Sequence, residues 1–168
     1  MVTSVARGVL YVHSSPRALC PHVEWAAGHA IGRPVNFSWT DQPVLRGSQR
    51  TDYYWEGAPG TGAAIASKLR GWEHLRFEVT EDPRDGVDGS RWLHTPDLGI
   101  FHAQTDAAGN IVVAEDRIRA AMDAAGTSAI EMHRELRLAL GQAWDDELEP
   151  FRHAIGTSSV TWLHRSAV

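Results

Sequence analysis

Val9-Leu10-Tyr11-Val12 is apolar on both faces of any strand it could form, and within nine residues Pro21 opens a segment with helical patterning. A continuously apolar, β-prone run needs cover on both sides, so it predicts an interior strand. Ser14-Ser15-Pro16 reads as its end. A helix follows, established by Pro21, because a first-turn residue needs no intrahelical N–H bond. Gly32 predicts its stop just after Ile31.

That helix has two faces. At about 100° per residue, Val23, Ala26, Ala27 and Ala30 form a small apolar stripe that suits close docking on a sheet. His22, Trp25 and His29 cluster about a quarter turn away, beside the docking stripe rather than on it. Phe37 and Trp39 then alternate with Asn36 and Ser38 as a second strand with one apolar face.

The next segment repeats this order. Residues 41–50 read as a loop, Thr51–Glu56 as an aromatic strand, Gly57–Gly62 as a sharp turn, Ala63–Arg70 as a helix and His74–Thr80 as an alternating strand. The βαββαβ order predicts a ferredoxin-like split βαβ sheet, with the first and third strands central and the alternating second and fourth at the edges. Further on, residues 81–90 form an acidic loop. Arg91–His94, Leu98–Gln104 and Asn110–Val113 read as a meander, and residues 114–125 as a helix ended by Gly126. Ser128 with Glu131 matches a capping box, opening a second helix that runs to Pro150. Val160–Leu163 reads as a last short strand or strap, and Met1–Arg7 as a frayed lead-in. No linker separates two domains. The expectation is one α+β domain over 1–168: a ferredoxin-like half at 1–83, then a short antiparallel β-meander and two C-terminal helices at 84–168.

Composition narrows the function classes. Net charge is -5, and no basic stripe interrupts it, which argues against nucleic acid as a partner. Cys20 is the single cysteine, so neither an internal disulfide nor a four-cysteine zinc site is possible. No apolar run approaches the ~20 residues of a membrane span, and no long apolar leader follows Arg7, so the cytoplasm is the expected location. Seven tryptophans in 168 residues is a high count, which predicts core rings with one or two interface anchors among them.

The candidate binding residues are His13, His22, Trp25, His29, His94 and His102. No catalytic residue, metal ligand set or cofactor is implied. His22 and His29 stand seven apart, about 10 Å along a helix at 1.5 Å per residue, too far to share one metal. His13 beside Ser14 and Ser15 reads as a hydrogen-bonded turn histidine. His94 and His102 flank the Pro96-Asp97 turn, where a hairpin would let them face each other. Cys20 near a helix start, two residues before His22, is the best nucleophile candidate, yet Leu19 and Val23 beside it suit an inert buried thiol. Gly57–Gly62 opens a helix and suits an anion in principle. It lacks the Gly-Lys-Ser/Thr ending of a P-loop and reads as a tight turn. Asp82, Asp85 and Asp88 do not follow the calcium-loop pattern and read as a solvated loop.

The strings GVLYVHSSPRALCPHVEWA, LRFEVTEDP, GVDGSRW, HTPDLGIF and AWDDELEPFR resemble an actinobacterial family of uncharacterised proteins catalogued as a domain of unknown function. The resemblance covers nearly the whole chain. It implies a small actinobacterial cytoplasmic protein and brings no activity or catalytic residue with it. The residues themselves point to a non-catalytic binding or adaptor protein with a protein partner. The alternatives are a small enzyme with a Cys/His site near the strand ends, or a sensor whose ferredoxin-like sheet takes a small-molecule ligand.

Overall fold

A computed structural model describes residues 5–153. The strands are β1 (Ala6–Pro16), β2 (Thr40–Asp41), β3 (Ser48–Gly57), β4 (Arg76–Glu81), β5 (Gly89–Thr95), β6 (Gly99–Thr105) and β7 (Ile111–Val112). The helices are α1 (Cys20–Ile31), α2 (Thr61–Leu69), α3 (Glu115–Ala125), α4 (Ala129–Ala139) and α5 (Gln142–Arg152). The strands form one sheet in the order β2-β3-β1-β4-β5-β6-β7, and every pairing in it is antiparallel. The chain is thus α+β, with one sheet running through both halves.

β1 is interior, as its apolar run requires, but it is longer than that run. It begins at Ala6, inside the expected lead-in, and continues through Ser14 and Ser15, which are fully buried. A bulge after Val12 absorbs the change of register, so that Ser15 still faces Gln49 and Ser14 faces Arg76. A bulge leaves one residue over and re-aims its neighbours. The serines therefore bend the strand without ending it.

Alternate residues divide the sheet into two covered faces. Leu10, Val12, Trp55, Phe77 and Val79 pack with Val23, Ala27, Ile65 and Leu69 of α1 and α2. On the opposite face, Leu93, Phe101 and Ala103 pack with Leu148 of α5, and Trp144 borders the cluster. The Trp144 indole donates to the Gly99 carbonyl at 3.0 Å, fixing α5 over the β5–β6 hairpin.

Three expectations are corrected. β4 is the middle strand of the sheet, not an edge. Its alternation suggested one wet face, but its polar residue Glu78 is buried among ion-pair partners. Phe37 and Trp39 precede a two-residue β2 rather than forming a strand themselves. Phe37 is buried against Tyr53, with ring centroids 4.8 Å apart, so ring packing without ladder bonds holds the segment. The region after Ser128 is two helices, giving three C-terminal helices, and Pro150 lies inside the last one. Gly141 breaks the expected long helix with a left-handed φ of 74°. The Val160–Leu163 expectation lies outside the described residues.

Gly141 is also a close approach. A Cβ there would stand 2.6 Å from the Phe101 ring. Gly141→Ala therefore combines left-handed strain with overpacking and is expected to cost about 2–4 kcal/mol. Gly109 has a φ of 85° and open space around it, so Gly109→Ala is the control, with an expected loss of about 1 kcal/mol. Urea unfolding midpoints of the two variants against wild type measure the difference.

Candidate functional site

The first site begins at the end of α1. The Gly32 N–H returns to the Gly28 carbonyl at 2.9 Å and the Arg33 N–H to the same oxygen at 3.0 Å. This left-handed closure satisfies the Gly28 carbonyl and turns the chain back on the helix. Gly28 leaves room for it, because a Cβ there would meet the Arg33 carbonyl oxygen at 2.9 Å. Glu24 then pins the returning segment. Its Oε1 accepts from the Phe37 N–H at 3.2 Å and from the Trp39 indole at 2.7 Å.

Between the helix and this segment lies a groove of about 650 Å³, with Pro21, Trp25 and His29 on one side and Arg33, Pro34 and Val35 on the other. Trp25 is 70% exposed. Its ring sits on His29 one turn later, with centroids 5.8 Å apart and planes at 45°. Of the small stripe, Val23, Ala26 and Ala27 are buried beneath the helix and Ala30 is half-buried. The helix thus docks without using its largest side chain.

The second site is buried. Glu78 on β4 is 2% exposed and faces His13, Arg91 and Arg152. Arg91 donates to Glu78 Oε1 at 3.1 Å, and Arg152 donates to the same oxygen. Both guanidinium groups also reach Asp145 Oδ1, at 3.1 and 2.8 Å. His13 Nε2 lies 3.3 Å from Glu78 Oε2, and neither ring nitrogen has an aligned hydrogen-bond partner among the described residues. Tyr11 stacks on the His13 ring with planes only 3° apart, and burial raises the Tyr11 pKa so that the phenol keeps its proton.

Burial alone would raise the Glu78 pKa. His13, Arg91 and Arg152 together outweigh that and hold the carboxyl well below the usual range. Glu78 and Asp145 share the two guanidinium groups, and Arg152 also meets Glu149 at 3.3 Å, so each buried charge in the cluster has an opposite partner, the condition under which it is tolerated. Its chemistry is a clamp: Arg91 comes from β5, Glu78 from β4, and Asp145 and Arg152 from α5. Gln42 adds a tie, donating to the carbonyl of His13 at 2.7 Å and of Phe151 at 3.4 Å.

The six candidate binding residues do not converge. His22, Trp25 and His29 are exposed along α1, and His22 meets Trp72 edge-on, with ring centroids 6.4 Å apart. His13 is buried within β1, not in a turn, because the strand continues through the bulge. His94 and His102 lie on one face of adjacent strands but are not partners. His94 pairs in register with Ile100, contacts the Leu75 carbonyl through Nδ1 at 2.8 Å and stacks on Phe77. Burial lowers its pKa. His102 is exposed and stacks on Trp92, with centroids 4.8 Å apart.

At the start of α2, the anion position is taken by the chain's own Glu81. Its two carboxylate oxygens accept from the Gly60 and Gly62 N–H groups, each at 3.0 Å. Cys20 is buried, with Sγ 3.6 Å from the Pro16 carbonyl and 3.7 Å from Gln49 Oε1. Burial raises its pKa, outweighing the nearby Arg17 charge. Among the described residues no group of three or more His, Cys, Asp or Glu side chains is placed to hold a metal. No helix among them is long and apolar enough to cross a membrane.

Sequence reasoning missed the Glu78 cluster and the returning wall of the groove. The cluster left no signal, since its members are spread from residue 13 to residue 152. The wall did: Gly32 followed by Pro34 is the pattern of a helix that closes and turns back.

The family model described as "Protein of unknown function (DUF3145)" matches residues 9–165, and the chain belongs to that family. Comparison with curated proteins and with solved structures gave no match.

Glu78→Gln removes one charge from a buried pair of opposites and is expected to cost about 3 kcal/mol or more at neutral pH. Because the folded-state pKa of Glu78 is depressed, its contribution is complete above the unfolded value of about 4.3 and is lost as pH falls below it. Glu149, whose pKa is also lowered by His153 and Arg152, adds to the acid limb. Denaturation at stepped pH should show a shallower loss of stability below about pH 4 in Glu78→Gln than in wild type. Cys20 in the folded protein should alkylate slowly at neutral pH, with a midpoint above the free-thiol value of about 8.5. A rate–pH profile with a free alkylating reagent measures it.

Proposed function

We propose that this protein is a non-catalytic binding or adaptor protein that works by protein–protein contact through the α1 groove, with Trp25 as its anchor. The observation that carries the reading is the 70% exposure of Trp25 on a helix already held by a separate apolar stripe. A large ring left beside a groove suits an interface anchor surrounded by a polar rim. The groove also suggests what its partner brings. Arg33 has no ion-pair partner among the described residues, while Glu24 Oε1 is occupied by Phe37 and Trp39. A partner segment with an apolar side chain for Trp25 and a carboxylate for Arg33 complements both.

The alternatives have less support. An enzyme built on Cys20 needs an accessible low-pKa thiol, and burial works against both properties. A sensor needs an enclosing pocket, whereas this groove is open along its length. The net charge of -5 favours neither nucleic acid nor an acidic membrane surface. The same reading takes the first half as a ferredoxin-like split βαβ unit of a single domain, supported by the order β2-β3-β1-β4 and by α1 and α2 sharing one face. It takes the setting as the actinobacterial cytoplasm, supported by the sequence strings and by the single cysteine.

The test is affinity purification from the native host at endogenous level, with wild type and Trp25→Ala side by side. A stoichiometric partner should be present with the first and depleted with the second. Calorimetry with the purified partner should show a loss of about 2 kcal/mol or more for Trp25→Ala, while unfolding stability changes by less than about 0.5 kcal/mol. A large stability loss without a binding defect would refute the anchor.

A further inference from the structure

A polar pocket of about 200 Å³ lies where β4 ends, β5 begins and β6 ends, and it shares no lining residue with the α1 groove. Cross-strand register explains it. On the α5 face of the sheet, Thr80, Arg91 and Ala103 form one row. The next row on that face, about 7 Å further at two residues along a strand, is Gly89 opposite Thr105, with Asp82 just past the end of β4. Gly89 opens the floor because it has no side chain. A Cβ there would stand 2.5 Å from Thr105 Oγ1 and 3.0 Å from Pro83 Cδ.

Two opposite charges line this pocket without meeting. Arg91 uses Nη2 for both Glu78 and Asp145. Its Nε and Nη1 have no hydrogen-bond partner among the described residues, and neither is sealed from solvent. Asp82 forms no ion pair there, and its carboxylate accepts no hydrogen bond. Burial raises its pKa, against a smaller opposing effect of Arg7. Thr105 is 8% exposed, and its hydroxyl also has no hydrogen-bond partner among the described residues. Polar groups this well buried are normally bonded, so an acid, a base and a hydroxyl converge on one small space with bonds left to make.

We infer that this pocket binds a small free α-amino acid. Its ammonium meets Asp82, its carboxylate meets the unused donors of Arg91, and a short polar side chain meets the Thr105 hydroxyl. Size sets the first limit. At about 30 Å³ per water, the space holds roughly six or seven waters, and so a molecule of about that many non-hydrogen atoms. Charge sets the second. A lone anion would face Asp82 and Glu81, while a lone amine would leave the Arg91 donors unused. A zwitterion adds no net charge beside an Arg91 already matched by Glu78 and Asp145. Donor shape sets the third, because adjacent guanidinium N–H groups fit the two oxygens of a carboxylate.

Calorimetry of the full chain with L-serine tests this, with ethanolamine as the amine-only probe and glycolate as the carboxylate-only probe. L-Serine should bind saturably with a Kd below about 1 mM, and at least about tenfold more tightly than either fragment. In proton–nitrogen NMR it should shift the amides of Gly89, Thr105 and Gly109. Asp82→Asn should weaken L-serine at least about tenfold, Thr105→Val should weaken it too, and circular dichroism should be unchanged in both. Should either variant fold poorly, the other and the shifted amides decide. Trp25→Ala should bind L-serine as wild type does. No saturation up to about 10 mM would overturn the proposal. So would ethanolamine binding as tightly as L-serine, or L-serine binding that neither pocket substitution weakens.

Discussion

Glu78 is the interaction on which the arrangement of the second half depends. One carboxylate in the middle strand of the sheet is held by guanidinium groups from β5 and α5. Removing charges from water costs several kcal/mol per ion, so this cluster is stable only when all its members are in place. The apolar contacts of Leu148 hold α5 down, but they do not select its direction along the sheet. The Arg152–Glu78–Arg91–Asp145 set does, because its directional hydrogen bonds form only when α5 brings Asp145 and Arg152 over Glu78 and Arg91. The apolar core thus supplies the adhesion, and the buried ions supply the register.

α1 serves two purposes with one short sequence. Its small residues sit at the sheet, where a close approach leaves no room for larger ones. Its largest residue is free, beside a groove made by the helix's own left-handed closure and by the Glu24 bonds to Phe37 and Trp39. These roles do not compete, because they occupy different sides of the cylinder. The α3–α4 hairpin shows a related division, with alanines buried and larger side chains exposed.

Much of the fold was legible from residues 9–12, the α1 stripe and the glycine stops, because these signals are local. A stripe at i, i+3 and i+4 must share a face, and Gly32 does end α1 with a left-handed φ of 86°. The exposed side of α1 was legible for the same reason. Trp25 falls off the docking stripe by geometry alone, although only the folded chain shows that it stays exposed among the described residues. The reading of β4 went astray because alternation reports the chemistry of a face, not whether water reaches it. Glu78 reads as a solvent-facing residue until Arg152, 74 positions away, is brought against it. Ser14, Ser15 and Pro16 misled in the other direction: polar residues and a proline end a strand in isolation, but neighbours on both sides and a bulge carried the ladder past them.

The sequence by itself determined most of the element types, the face on which α1 docks, the interior place of the first strand and the exclusion of an internal disulfide and of four-cysteine zinc chemistry. Each follows from bonds and spacings within a few turns, or from a count. Tertiary structure alone decided the strand order beyond the first half, the break at Gly141, the fate of six scattered candidate residues and the occupation of the α2 N-terminus by Glu81. These rest on contacts between residues far apart in the chain, whose energies exist only once the loops between them have closed. A histidine or a carboxylate has the same local signature whether it ends in water, against a ring or inside a buried ion cluster, so its environment is a property of the fold.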